Sequence, residues 1–145
     1  MLGGIMTNRT LYFYTACFCF SLGFFLYLAI ETVYKSCISA SNTHWSMGLL
    51  AGLAFVFLLF LDKTALTDSK KAFCGMLFIT VLEFFFGLYL NLYRRLNVWD
   101  YQKLPFNLLG QICPHFSLIW FVFSFLILYC NRFLLAEIKF LCHMN

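Results

Sequence analysis

Apolar residues fall into four long runs, 11–33, 46–61, 72–93 and 112–135, divided by short polar connections. The first holds about 23 residues, enough to cross a bilayer as one helix. A cleavable leader competes with that reading, because Ile38, Ser39 and Ala40 loosely resemble a small-residue cleavage site. The run is too long and too aromatic for a leader, so a retained first span is expected. The second run is short at about 16 residues, unless Trp45 and His44 sit among the headgroups. It contains Gly48 and Gly52, a small-xxx-small spacing that lets helix backbones approach closely. In the third run Thr80, Glu83, Gly87, Asn91 and Arg94 recur at steps of three or four, so they share one helix face. A polar stripe on so apolar a helix must face protein or water. The fourth run opens with Pro114 in its first turn, where a missing backbone donor costs least. The expected fold is all-α, one domain of 1–145 built as a four-helix transmembrane bundle.

Composition supports the bilayer as solvent. The chain of 145 residues is 63% hydrophobic, 21% aromatic and 11% charged. A soluble domain of this size leaves too much surface exposed to hide that apolar content. The net charge of +4 is scattered over the connections, as topology signals and headgroup contacts are, so no nucleic-acid partner is expected. Four spans place both ends of the chain on one side. That side carries Arg9, Lys63, Lys70, Lys71, Arg132 and Lys139, against Lys35, Arg94, Arg95 and Lys103 opposite. The excess favours cytoplasmic termini in a bacterial plasma membrane.

Candidate chemistry concentrates in 82–120. Glu83 lies near the middle of the third span, where a carboxylate costs on the order of 2.5–3.5 kcal/mol to insert. It must be protonated, paired or hydrated, and burial alone would raise its pKa. Antiparallel spans bring the end of the first, the end of the third, their long connection and the start of the fourth to one membrane face. Glu31, Asp100, Asn107 and His115 are thereby expected around one pocket, with Glu83 beneath them. Glu83 there reads as a proton relay, cation site or substrate contact, or as a hydrogen bond locking helix packing. His115 and Ser117 point to different faces of a helix and form no nucleophile–base pair. The chain has no Gly-rich phosphate loop, metal motif or C-x-x-C pair, so neither enzyme, metal nor cofactor is expected. Cys17, Cys19, Cys74 and Cys130 sit inside apolar runs as small hydrophobes.

The segments LEFFFG (82–87), VWDYQKLPFNLLGQIC (98–113) and FSLIW (116–120) resemble the putative ABC-transporter permease family, type IV or CmpB-like. The resemblance rests on Trp99, Asp100, Tyr101, Asn107, Gly110, Ser117 and Trp120 in order and spacing, with Glu31 matching a glutamate that closes the family's early span. Departures mark a divergent member: Gln111 stands where the family has an arginine, and Asn91 where it has an acidic residue. The resemblance implies a permease subunit partnered by a separate ATPase. The alternative is a non-transporting scaffold that binds partners through its helices, with Gly48, Gly52 and the Trp99–Gly110 connection as contact surfaces. Homo- and hetero-oligomers are both compatible with either reading.

Overall fold

The computed structural model describes residues 8–37 and 43–143. Positions 38–42, which hold most of the polar connection after the first span and include Asn42, lie outside them. Four helices run antiparallel: α1 (Asn8–Cys37), α2 (Trp45–Leu61), α3 (Asp68–Gly87) and α4 (Pro114–His143). The chain is an all-helical membrane protein. Three of its helices, over Arg9–Cys37, Asp68–Tyr93 and Pro114–Leu141, are long and apolar enough to span. The fourth, α2, has 17 residues, roughly 25 Å at 1.5 Å per residue. It is also the most enclosed, burying Leu50, Ala54, Phe55, Leu58 and Leu59 among its neighbours.

Glycines set how closely α1 and α2 meet. A Cβ on Gly48 would stand 2.8 Å from Leu28 Cγ, and one on Gly52 2.8 Å from Phe20 Cε2. One on Gly23 would strike Phe55 Cδ2 at 2.5 Å. The small-xxx-small face is therefore filled by α1 of the same chain. On the other side of the bundle α3 lies against α4, with Gly75 under Ser124. Leu58, Ile79, Ile127 and Leu128 close the core between the two pairs.

At the end of the bundle where α1 begins and α4 ends, charge clamps the helices. Arg132 of α4 donates Nε to Asp62 Oδ2 at 2.9 Å and Nη2 to Asp62 Oδ1 at 2.6 Å, and it grips Asp68 with a second pair at 2.9 and 2.6 Å. Lys71 donates to the Asp62 carboxylate at 2.8 Å and to its carbonyl at 3.0 Å. Asp62 ends α2, Asp68 begins α3, and Arg132 joins both to α4. The Arg132 hydrogen bonds hold the Asp62 carboxyl at about 2, below its ordinary 3.8. Lys63 adds α1 to the clamp, its ammonium 3.4 Å above the Tyr12 ring.

Candidate functional site at the buried glutamate

The stripe expected from the spacing faces protein from Thr80 to Asn91, while Arg94 at its end is exposed. Thr80 Oγ1 donates to Ser117 Oγ at 3.1 Å. Glu83, 1% exposed, accepts from Trp120 Nε1 at 2.9 Å and from the Tyr101 hydroxyl at 2.8 Å, one donor to each carboxyl oxygen. Gly87 leaves room for Gln111, whose Oε1 a Cβ would meet at 2.5 Å. Asn91 donates to that same Oε1 at 2.8 Å. Two donors stand in for the water that a carboxylate forfeits at this depth.

Tyr101 reaches Glu83 because the long connection folds down into the bundle. Glu83 lies ten residues before Tyr93, roughly 15 Å along the helix. Just there the helix widens into a π-type turn, Leu88–Tyr93, closed by Arg94 N–H donating to Tyr89 O at 2.8 Å. The extra residue per turn aims Asn91 at the connection, where it accepts from Val98 N at 2.7 Å and donates to Trp99 O at 3.0 Å. From that anchor the connection closes on itself. Trp99 Nε1 donates to Gln111 O, Tyr101 N to Gly110 O, and Gln102 N to Asp100 Oδ1. Asn107 binds the carbonyls of Gln102 and Leu104 and accepts from Gly110 N. Gly110 has φ +70°, and a Cβ there would also stand 2.6 Å from Gln102 Cγ. Arg95, Asn97, Phe106 and Leu109 hold φ between 50° and 56°, each at a cost of roughly 1–2 kcal/mol. This network holds them there. The product is one tyrosine ring, stacked on Phe116 at 4.5 Å, with its hydroxyl on Glu83. Burial pushes the Tyr101 phenol well above its ordinary value and the neighbouring carboxylate adds to the rise, so the hydroxyl keeps its proton and donates.

Of the residues expected around a pocket, two lie inside the bundle. Glu83 is at its centre. Glu31, also buried, pairs through Oε1 with Lys35 at 2.9 Å, while Oε2 is buried without a hydrogen-bond partner. Lys35 in turn donates to Val98 O at 3.1 Å and so ties the end of α1 to the connection. Asp100 and Asn107 build the connection rather than the interior: Asp100 is exposed and caps a turn, and Asn107 spends its amide on carbonyls nearby. His115 is exposed on the first turn of α4, edge-on to Phe116.

Beside Glu83 lies a cavity of about 220 Å³, walled by all four helices. Tyr27, Trp120 and Glu83 share its wall with aliphatic residues, and Glu83's oxygens are already turned to their two donors. Its rim includes Leu26, Ile30 and Leu126, all exposed, so it opens sideways between α1 and α4 toward lipid.

The family described as Putative ABC-transporter type IV matches residues 11–144. The chain belongs to this family. No curated protein and no solved structure matches it. Membership runs from the first helix to the end of α4, so every residue from Glu31 to Trp120 lies within the family's region. As a member of an ABC-transporter-type membrane family, the chain is a transporter-like protein with apolar spanning helices.

Several residues that matter here carry no plain signal in the sequence. Gln111 and Asn91 read as lost charges, yet together they dock the connection onto α3. Arg132 reads as a topology charge, yet it holds two carboxylates 70 and 64 positions away. Tyr27 reads as one aromatic among many, yet it lines the cavity and lies against Trp120, ring centroids 6.2 Å apart.

Proposed function

We propose that the chain is the membrane subunit of a transporter, energised by a separate ATPase chain and working around Glu83. The observation that carries this reading is a mid-span carboxylate held by Tyr101 and Trp120 at the wall of a lipid-facing cavity. An intramembrane acid so placed is a natural protonatable or substrate-contacting element. Glu31 supplies the second buried carboxylate above it, Asp100 and Asn107 shape the connection that seats Tyr101, and His115 is exposed on the first turn of α4. The chain has no phosphate-binding loop of its own, so hydrolysis falls to a partner. Purification from the native membrane in mild detergent should bring down an ATPase. Recovery of a different membrane complex, with no ATPase, would instead support a scaffold. That second reading now rests on the connection, whose Phe106, Leu108 and Leu109 are exposed, since Gly48 and Gly52 are covered by α1.

In this reading the clamp of Asp62, Asp68 and Arg132 faces the cytoplasm of a bacterial cell and Glu31 faces outward. Six cations against four, as counted from the sequence, support that orientation. An impermeant thiol reagent on intact cells should label Cys37, which is exposed, and spare a cysteine placed at the exposed Ser69. Labelling of Ser69→Cys alone would reverse the orientation.

A further inference from the structure

We infer that the groove between the start of α1 and the end of α2 binds one anionic phospholipid, its phosphate held by Arg9 and Lys63. The site does not depend on whether the chain transports anything.

The groove measures about 570 Å³ and is lined by Arg9, Tyr12, Phe13 and Ala16 of α1, with Phe60 and Lys63 where α2 ends. Its polarity changes along α1 as that of a leaflet does. Arg9 is the first residue of the segment long and apolar enough to span, and Ala16 lies roughly 10 Å further along the helix. Both cations are exposed, and so are the Phe13 and Phe60 rings. The cations mark the headgroup level, and the rings offer a surface that acyl chains wet. Neither cation is spent on protein. Among the described residues, no carboxylate lies within ion-pair distance of Arg9 or Lys63. Asp62, next to Lys63 in the chain, is committed to Arg132 and Lys71. The Tyr12 ring lies 3.4 Å from the Lys63 ammonium and holds it at the groove wall. A lipid phosphate answers both groups, taking paired N–H donors from the guanidinium and a point charge from the ammonium.

Headgroup choice follows from charge. A choline or ethanolamine headgroup brings its own ammonium against two cations, and no carboxylate is among the groove's described residues to receive it. A glycerol headgroup brings no such charge. The rings beyond the cations favour a lipid over a free phosphate, which has no apolar part to lay on them.

The test is native mass spectrometry of the purified full chain from nanodiscs holding equal parts glycerol and choline phospholipids with the same acyl chains. The wild type should retain one lipid, the glycerol type favoured roughly 25-fold, at about fivefold for each cation near the membrane surface. Arg9→Gln and Lys63→Gln should each lower that preference about fivefold, and Lys63→Arg should keep it. Lys70→Gln removes an exposed cation outside this groove and should leave the preference unchanged. Circular dichroism checks that each variant keeps its helices. Three results would each overturn the proposal: no retained lipid in the wild type, equal retention of the two headgroups, or a lipid-free dimer, which would give the groove to a second copy. A loss in Lys70→Gln as large as in Lys63→Gln would also overturn it, by assigning the attraction to the whole charged surface. ATPase recovery is a separate measurement, so the lipid site and the transporter reading stand or fall independently.

Discussion

Glu83→Ala is expected to lower unfolding stability by about 3–4 kcal/mol, whereas Glu83→Gln stays within about 1 kcal/mol of the parent. Alanine leaves the Trp120 indole N–H and the Tyr101 hydroxyl without their acceptor inside the bundle, each orphaned donor costing about 1–3 kcal/mol. It also enlarges the neighbouring cavity. Glutamine keeps the shape and one acceptor oxygen for Trp120, and its amide can donate to the tyrosine oxygen once that hydroxyl turns. Tyr101→Phe should fall between the two, since it removes one donor and with it the hydrogen bond from the connection to Glu83. Thermal unfolding in detergent, followed by helical signal, ranks the three. An Ala variant as stable as the Gln variant would mean that the two hydrogen bonds carry no net stability.

The second large effect lies at the opposite membrane face. Arg132→Ala is expected to cost about 2 kcal/mol and to splay the α2–α3 hairpin from α4. The double bidentate geometry would support more in a dry site, but Arg132's side chain is 36% exposed and water screens the pair. The effect carries a pH signature. Asp62 ionises at about 2 in the folded chain and near 3.9 when unfolded, so its contribution is complete above about pH 4 and is lost as pH falls through 2. The stability gap between parent and Arg132→Ala should therefore be flat from neutral pH to about 5 and shrink below 4. A gap that persists undiminished at pH 2 would assign the loss to packing of the arginine stem instead.

How far the chain could be read from its letters differs between its parts. Spans and the α3 stripe follow from local rules: apolar runs of membrane length, and polar residues at steps of three and four. Thr80, Glu83, Gly87 and Asn91 indeed face α4 and the connection. Depth of the connection was not legible, because nothing local says that residues after a helix turn back inward. That depends on the π-type turn at Leu88–Tyr93 and on Asn91 meeting Val98, Trp99 and Gln111. Asp100 and Asn107, polar residues in a loop, suggest a pocket by composition but satisfy backbone groups, as short Asx side chains do in turns. Pairing of Arg132 with Asp62 and Asp68 is likewise tertiary. In each case the missing information is a long-range partner, which periodicity cannot name.

The most direct test of a working Glu83 is the Glu83→Gln chain in complex with its ATPase, reconstituted in vesicles. The isosteric variant should assemble in normal yield and hold the connection in place, while ATP turnover per complex drops to that of the ATPase alone. Full turnover in a normally assembled Glu83→Gln complex would contradict the account and leave Glu83 as a lock on helix packing.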